Sequence, residues 1–152
     1  MTVDVDGHIR MPVNWTSIPI QFNIVSSDFS CAHTKITSLK GAPRYVGGNC
    51  LSQESLISTL EHAPLTVGED FLCYETPYMR SLHGVEKWIP NIKIGGAIYV
   101  DQTHLLGLAL IEGINSVAIW KDEWITFDIS HHDPFQFQGQ LLEQGFTEQA
   151  QL

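Results

Sequence analysis

The chain is 152 residues long, 43% hydrophobic and only 16% charged, with 8 Lys and Arg against 17 Asp and Glu for a net charge of −9. That length suits a single domain and the apolar fraction excludes a disordered tail, while the shortage of cations disfavours direct nucleic-acid binding through phosphate contacts. No run approaches the roughly 20 apolar residues of a membrane span, and the acidic start MTVDVDGHIR lacks a basic-then-apolar leader, so no membrane partner and a cytoplasmic location are expected.

In chain order, residues 9–24 read as a degenerate first unit, because Trp15 and Ile18 lie 21 residues before Ile36 and Leu39. From Val25 onward the period is plain. Val25, Val46 and Val67 are each 21 apart, as are Asp28, Asn49 and Asp70, then Phe29, Cys50 and Phe71, then Cys31, Ser52 and Cys73. Ile36 with Ile57, Leu39 with Leu60, Ala42 with Ala63 and Pro43 with Pro64 repeat at the same spacing. The next unit is longer: Val67 is followed by Ile94 at a spacing of 27, which places an insertion near His83 to Asn91. After it, Ile94 to Val100 match Val46 to Ser52, and a last short unit runs from Ile114 to Trp120, giving about five turns.

Phe29 with Cys31, Phe71 with Cys73 and Ile98 with Val100 alternate across one residue, a period of two that marks a short strand with one face inward. The Gly-Gly or Gly-Glu before each strand turns the chain, and Ala-Pro at 42–43 and 63–64 stops a helix. A unit of this size cannot cover its own apolar residues, so the units must stack. The expected fold is therefore mostly β, a short leucine-rich-repeat-like solenoid of parallel strands over residues 9–120. Residues 121–152 form its C-terminal cap. There Asp133-Pro134 starts a helix near 134–144, with Phe137, Leu141 and Leu142 on one stripe and Gly145 at its end.

The units SDFSCAHTKITSLKGAPRYVGGN and EDFLCYETPYMRSLHGVEKWI resemble the short leucine-rich-like repeats, of pattern L-T-S-L-x-G-A-P-x-x-V-G-G-D-F-x-C, found in small proteins of bacteriophages and related mobile elements. The similarity covers roughly residues 15–120, and the segment from Asp133 to Leu152 looks like the helical end that such proteins often carry. Cys50-Leu51 and the enlarged turn at 83–91 depart from the pattern. The resemblance implies the architecture and a phage origin, hence a host cytoplasm, and implies no particular activity.

Candidate chemistry is sparse. Cys31 and Cys73 share one repeat position and Cys50 faces the same interior, so all three read as small buried hydrophobes in a chain with no disulfide framework. His131, His132 and Asp133, or Cys31 with His33, lack zinc spacing, and Gly47-Gly48 and Gly95-Gly96 are repeat turns rather than phosphate loops. No catalytic residue, metal or cofactor is expected.

The positions that the repeat turns outward say more. If Phe29 and Cys31 point inward, Ser30 and its equivalents Leu51, Leu72 and Tyr99 point outward, forming an apolar row that either binds a partner or is covered from within. The insertion adds Lys87 and Trp88, an anchor if Trp88 protrudes and a plug if it folds back, and Tyr74 and Tyr78 could extend the aromatic area. The leading expectation is a non-enzymatic interaction module of phage origin that binds a host protein, most concretely an inhibitor of a host defence protein. The competing readings are a nucleic-acid mimic using the acidic residues 122–152, a small metal-dependent enzyme using His131 and His132 with a cysteine, and a homodimer made through the apolar row.

Overall fold

A computed structural model describes residues 1–152 as a β-solenoid of six coils closed by a hairpin and a helix. The first coil carries β1 (Thr2–Val5) and β2 (Ile9–Arg10), the second β3 (Gln21–Val25) and β4 (Phe29–Ser30), and the third β5 (Tyr45–Val46) and β6 (Cys50–Leu51). The fourth carries β7 (Thr66–Val67), β8 (Phe71–Leu72) and a one-turn helix α1 (Val85–Trp88). The fifth carries β9 (Lys93–Ile94), β10 (Ile98–Val100) and a 3₁₀ turn at Leu106–Leu110. The sixth has only β11 (Ser116–Lys121), followed by β12 (Glu123–Asp128) and α2 (Pro134–Glu143).

Each coil gives one strand to each of two sheets. The short sheet runs β1-β3-β5-β7-β9 and the long sheet β12-β11-β10-β8-β6-β4-β2, parallel throughout except for the antiparallel β11–β12 pair. The register is that of the repeat: Val25, Val46, Val67 and Ile94 align in the short sheet, and Phe29, Cys50, Phe71, Ile98 and Val117 in the long one. All of these side chains are buried, in one continuous apolar core. The insertion at 83–91 is where α1 sits, and the chain is back in register at β9.

Stacking at the corner between the sheets is close enough to exclude a side chain. A Cβ on Gly68 would lie 2.2 Å from the carbonyl oxygen of Gly47, and one on Gly95 2.1 Å from that of Gly68. The glycine after the inward residue of the third, fourth and fifth coils, Gly47, Gly68 and Gly95, is therefore required by the approach of one backbone to the next, whereas the second coil carries Ser26 there. Beside it runs a side-chain ladder in which each coil accepts from the backbone of its successor. Asp28 Oδ1 accepts from Asn49 N at 2.7 Å, Asn49 Oδ1 from Asp70 N at 2.9 Å, and Asp70 Oδ1 from Ala97 N at 2.9 Å. Asp and Asn recur there because a short side chain with an acceptor oxygen reaches a donor that the turn leaves free.

The stack starts at Thr2, earlier than the repeat indicates at residue 9. Val5 pairs with Val25 and Ile9 with Phe29, a spacing of 20, and β1 is irregular between Val3 and Val5, so the first coil falls out of the 21-residue register. At the other end, β11 extends to Lys121 and turns through Asp122, at φ 62°, into β12. Phe127 of β12 packs on Phe137 and Phe146, and Asp133 Oδ1 accepts from Phe135 N at 2.9 Å to cap α2. No helix is long and apolar enough to cross a membrane.

Candidate functional site

The outer face of the long sheet carries the expected row. Register places Ser30, Leu51, Leu72, Tyr99 and Ala118 side by side. Ser30 and Ala118 are buried, whereas Leu51, Leu72 and Tyr99 are half-buried. The first coil lies in line with the stack and α2 rests on the 3₁₀ turn and on Phe127, so neither the N-terminal segment nor the capping helix closes over Leu51 and Leu72. The cover on Tyr99 comes from Trp124 of β12, edge-on with ring centroids 4.9 Å apart.

Trp124 gathers an aromatic cluster. Its ring lies 4.8 Å from that of Tyr74 and 5.5 Å from that of Trp120, at interplanar angles of 58° and 71°. Trp120 and Trp124 face each other as directly paired residues of the β11–β12 hairpin, and Trp120 remains 55% exposed. Tyr74, Trp120 and Trp124, together with Glu75 and Asp101, bound a cleft of about 330 Å³. Neither tryptophan stands out in the repeat, since Trp120 ends the last unit and Trp124 lies beyond it. The aromatic and β-branched run Trp124-Ile125-Thr126-Phe127 directly after β11 is the signal that marks a further strand.

Acidic groups frame this cluster. The third residue after each inward strand takes a left-handed conformation in three successive coils, His33, Glu54 and Glu75, with φ of 58°, 56° and 52°. The turn is held from behind by Thr34, Ser55 and Thr76, whose hydroxyls donate to the carbonyls of Cys31, Ser52 and Cys73. His33 Nδ1 lies 2.7 Å from Glu54 Oε2, and Asp101 Oδ2 accepts from the backbone N–H of Glu75 at 2.9 Å. Desolvation and the nearby Glu54 and Asp101 push the Glu75 carboxyl above its ordinary range. Desolvation, with Glu75, Glu54 and Asp101, pushes the Tyr74 phenol up as well.

The other candidates do not line this cleft. Trp88 folds back onto the core as a half-buried plug instead of protruding, because α1 is a single turn whose Val85 is buried and whose apolar side must face inward. Lys87 on the same turn is exposed, and Tyr78 is 65% exposed in the loop after β8. Cys31, Cys50 and Cys73 are fully buried; burial pushes the Cys31 thiol up to about 12 and the other two in the same direction. His131 Nε2 lies 3.1 Å from Gln140 Oε1 and His132 Nδ1 3.2 Å from the Ala109 carbonyl, so both histidines tie the cap together. No three His, Cys, Asp or Glu side chains converge as a metal site would require. Ser81 Oγ and Thr103 Oγ1 both contact His104 Nδ1, at 3.2 and 2.9 Å, where a parallel bridge joins Ser81 to Thr103. The Ser81 hydroxyl thus ties the end of the loop after β8 to the next coil, while Thr103 contacts the ring from within its own coil.

No protein-family model matches the chain, and no curated protein or solved structure matches it. The outer face of the long sheet thus stands on its own geometry.

Proposed function

We propose that this chain is a non-enzymatic protein-binding module of phage origin, which captures a host protein on the outer face of its long sheet and in doing so inhibits a host defence factor. The observation that carries the binding role is the continuous surface from Leu51 and Leu72 through Tyr99 to Trp120 and Trp124. It is apolar and aromatic, and it is fixed in place by the coil register. Aromatic side chains on a rigid scaffold bind with little ordering cost, and tryptophan and tyrosine are enriched at the energetic centres of interfaces. The phage origin and the defence role are supported by the repeat motif alone, and the host cytoplasm follows from them.

The test is capture from lysate of a bacterial host by the wild-type chain and by Leu72→Asp and Trp120→Ser variants. Both substitutions lie on exposed or half-buried positions, so the fold should persist, as circular dichroism and thermal melting will show. Loss of a specific captured protein by both variants supports the surface, and capture unchanged from wild type contradicts it. Self-association through the same face would show instead as a doubled mass in light scattering that the variants abolish.

The row of Glu54, Glu75 and Asp101 favours a second reading, an acidic nucleic-acid mimic that occupies a basic groove of its target. The six acidic residues of 122–152 are dispersed over the hairpin turn, the cap of α2 and the chain's end rather than aligned with that row. A mimic's affinity falls steeply with added salt and survives Leu72→Asp, whereas capture through the apolar row is lost in that variant.

A further inference from the structure

We infer that the cleft between Tyr74, Trp120 and Trp124 receives the cationic end of a lysine or arginine side chain from the captured protein. This rests on the protein-binding reading above and names what the face recognises. Three features of the cleft select a cation. Its walls are the rings of Tyr74 and Trp120, set at 58° and 71° to the ring of Trp124, and aromatic faces carry the negative potential that attracts a cation. Two carboxylates, Glu75 and Asp101, stand in its lining, with Glu54 next to Glu75. An uncharged apolar guest would strip water from those carboxylates without pairing them, whereas a cation satisfies them and the rings together.

No cation of the chain itself lines the cleft; Arg80 lines the adjoining recess with Glu75 and Asp101 but forms no ion pair with either. Lys121, the neighbour of Trp120 in sequence, points the other way: its ammonium donates to the Gln144 carbonyl and lies over the Phe146 ring at 5.5 Å. His33 is engaged with Glu54. At about 330 Å³ the cleft lies at the small end of ligand sites and suits one side-chain terminus. A protein is the source that fits, because the apolar row of Leu72 and Leu51 continues from the cleft along the same sheet and would meet the residues flanking the inserted side chain. The net charge of −9 favours a basic segment on that partner.

The experiment titrates the full-length chain, labelled with nitrogen-15, with acetyl-lysine amide, acetyl-arginine amide and the same lysine compound acetylated on its side chain. The readout is the indole N–H signals, with Trp15 and Trp88 as internal references. Saturable shifts of Trp120 and Trp124 are expected with both cationic amides, and binding of the neutral compound about tenfold weaker. The double variant Glu75→Gln with Asp101→Asn should lose the cationic preference while keeping the indole positions of the free protein, because the introduced side-chain amide oxygen can still accept from the backbone N–H of residue 75. Absence of saturable shifts, or equal binding of the neutral compound, overturns the inference. If that happens while Leu72→Asp still abolishes partner capture, only the cation pocket falls; if capture is also unaffected, the surface falls with it.

Discussion

At Gly68 a single methyl group decides whether two coils can stack. The carbonyl of Gly47 occupies the space a Cβ would need, at 2.2 Å, and both partners are backbone, which cannot swing aside. Gly68→Ala should therefore cost about 1–3 kcal/mol, the range for forcing extra volume into a packed interior, and urea unfolding will measure it. The buried thiols offer a second test at this scale. Burial raises the Cys31 pKa from 9.0 to about 12, and Cys50 and Cys73 shift in the same direction. The unfolded chain thus releases protons that the fold retains, and the stability these thiols contribute is fully present below pH 9 and is lost as pH rises from there toward 12. The urea midpoint should stay level to about pH 8.5 and then decline, and a midpoint that rises with alkali would contradict the burial of these groups.

Among the elements, α2 shows what the sequence makes legible. Asp133 before Pro134, and Phe137, Leu141 and Leu142 on one stripe, place a helix at 134–144; the observed helix spans Pro134–Glu143 with Phe137 and Leu141 buried, while Leu142, one position further round, is exposed. Asp133→Ala removes the acceptor for Phe135 N and should destabilise the protein by about 1 kcal/mol, measurable as a lowered midpoint of thermal unfolding. The long sheet was equally legible, since matched residues 21 apart in sequence become neighbours in the ladder. The hairpin was legible only as a strand-forming run from Trp124 to Phe127, not in its pairing. Antiparallel return places Trp124 against Trp120 and over Tyr99, and a periodic pattern carries no information about a strand that breaks the period. The direction of Trp88 was also beyond the sequence, which records an insertion but not which side of a single helical turn the coil will absorb.

For the whole molecule, the repeat accounts for a rigid scaffold and the departures from it account for the distinctive surface. Leu51, Leu72 and Tyr99 were visible as an outward row; their continuation into an aromatic and acidic cleft came only when the last coil turned back on itself. The most direct test of that surface is hydroxyl-radical footprinting of the chain alone and with its captured partner, read on side chains because the strand amides are already bonded in the ladder. The partner should protect Leu72, Tyr74, Trp120 and Trp124 from oxidation and leave Trp15 and Tyr78 unchanged. Protection of Trp15 or Tyr78, with Trp120 and Trp124 oxidised as in the free chain, would contradict the account.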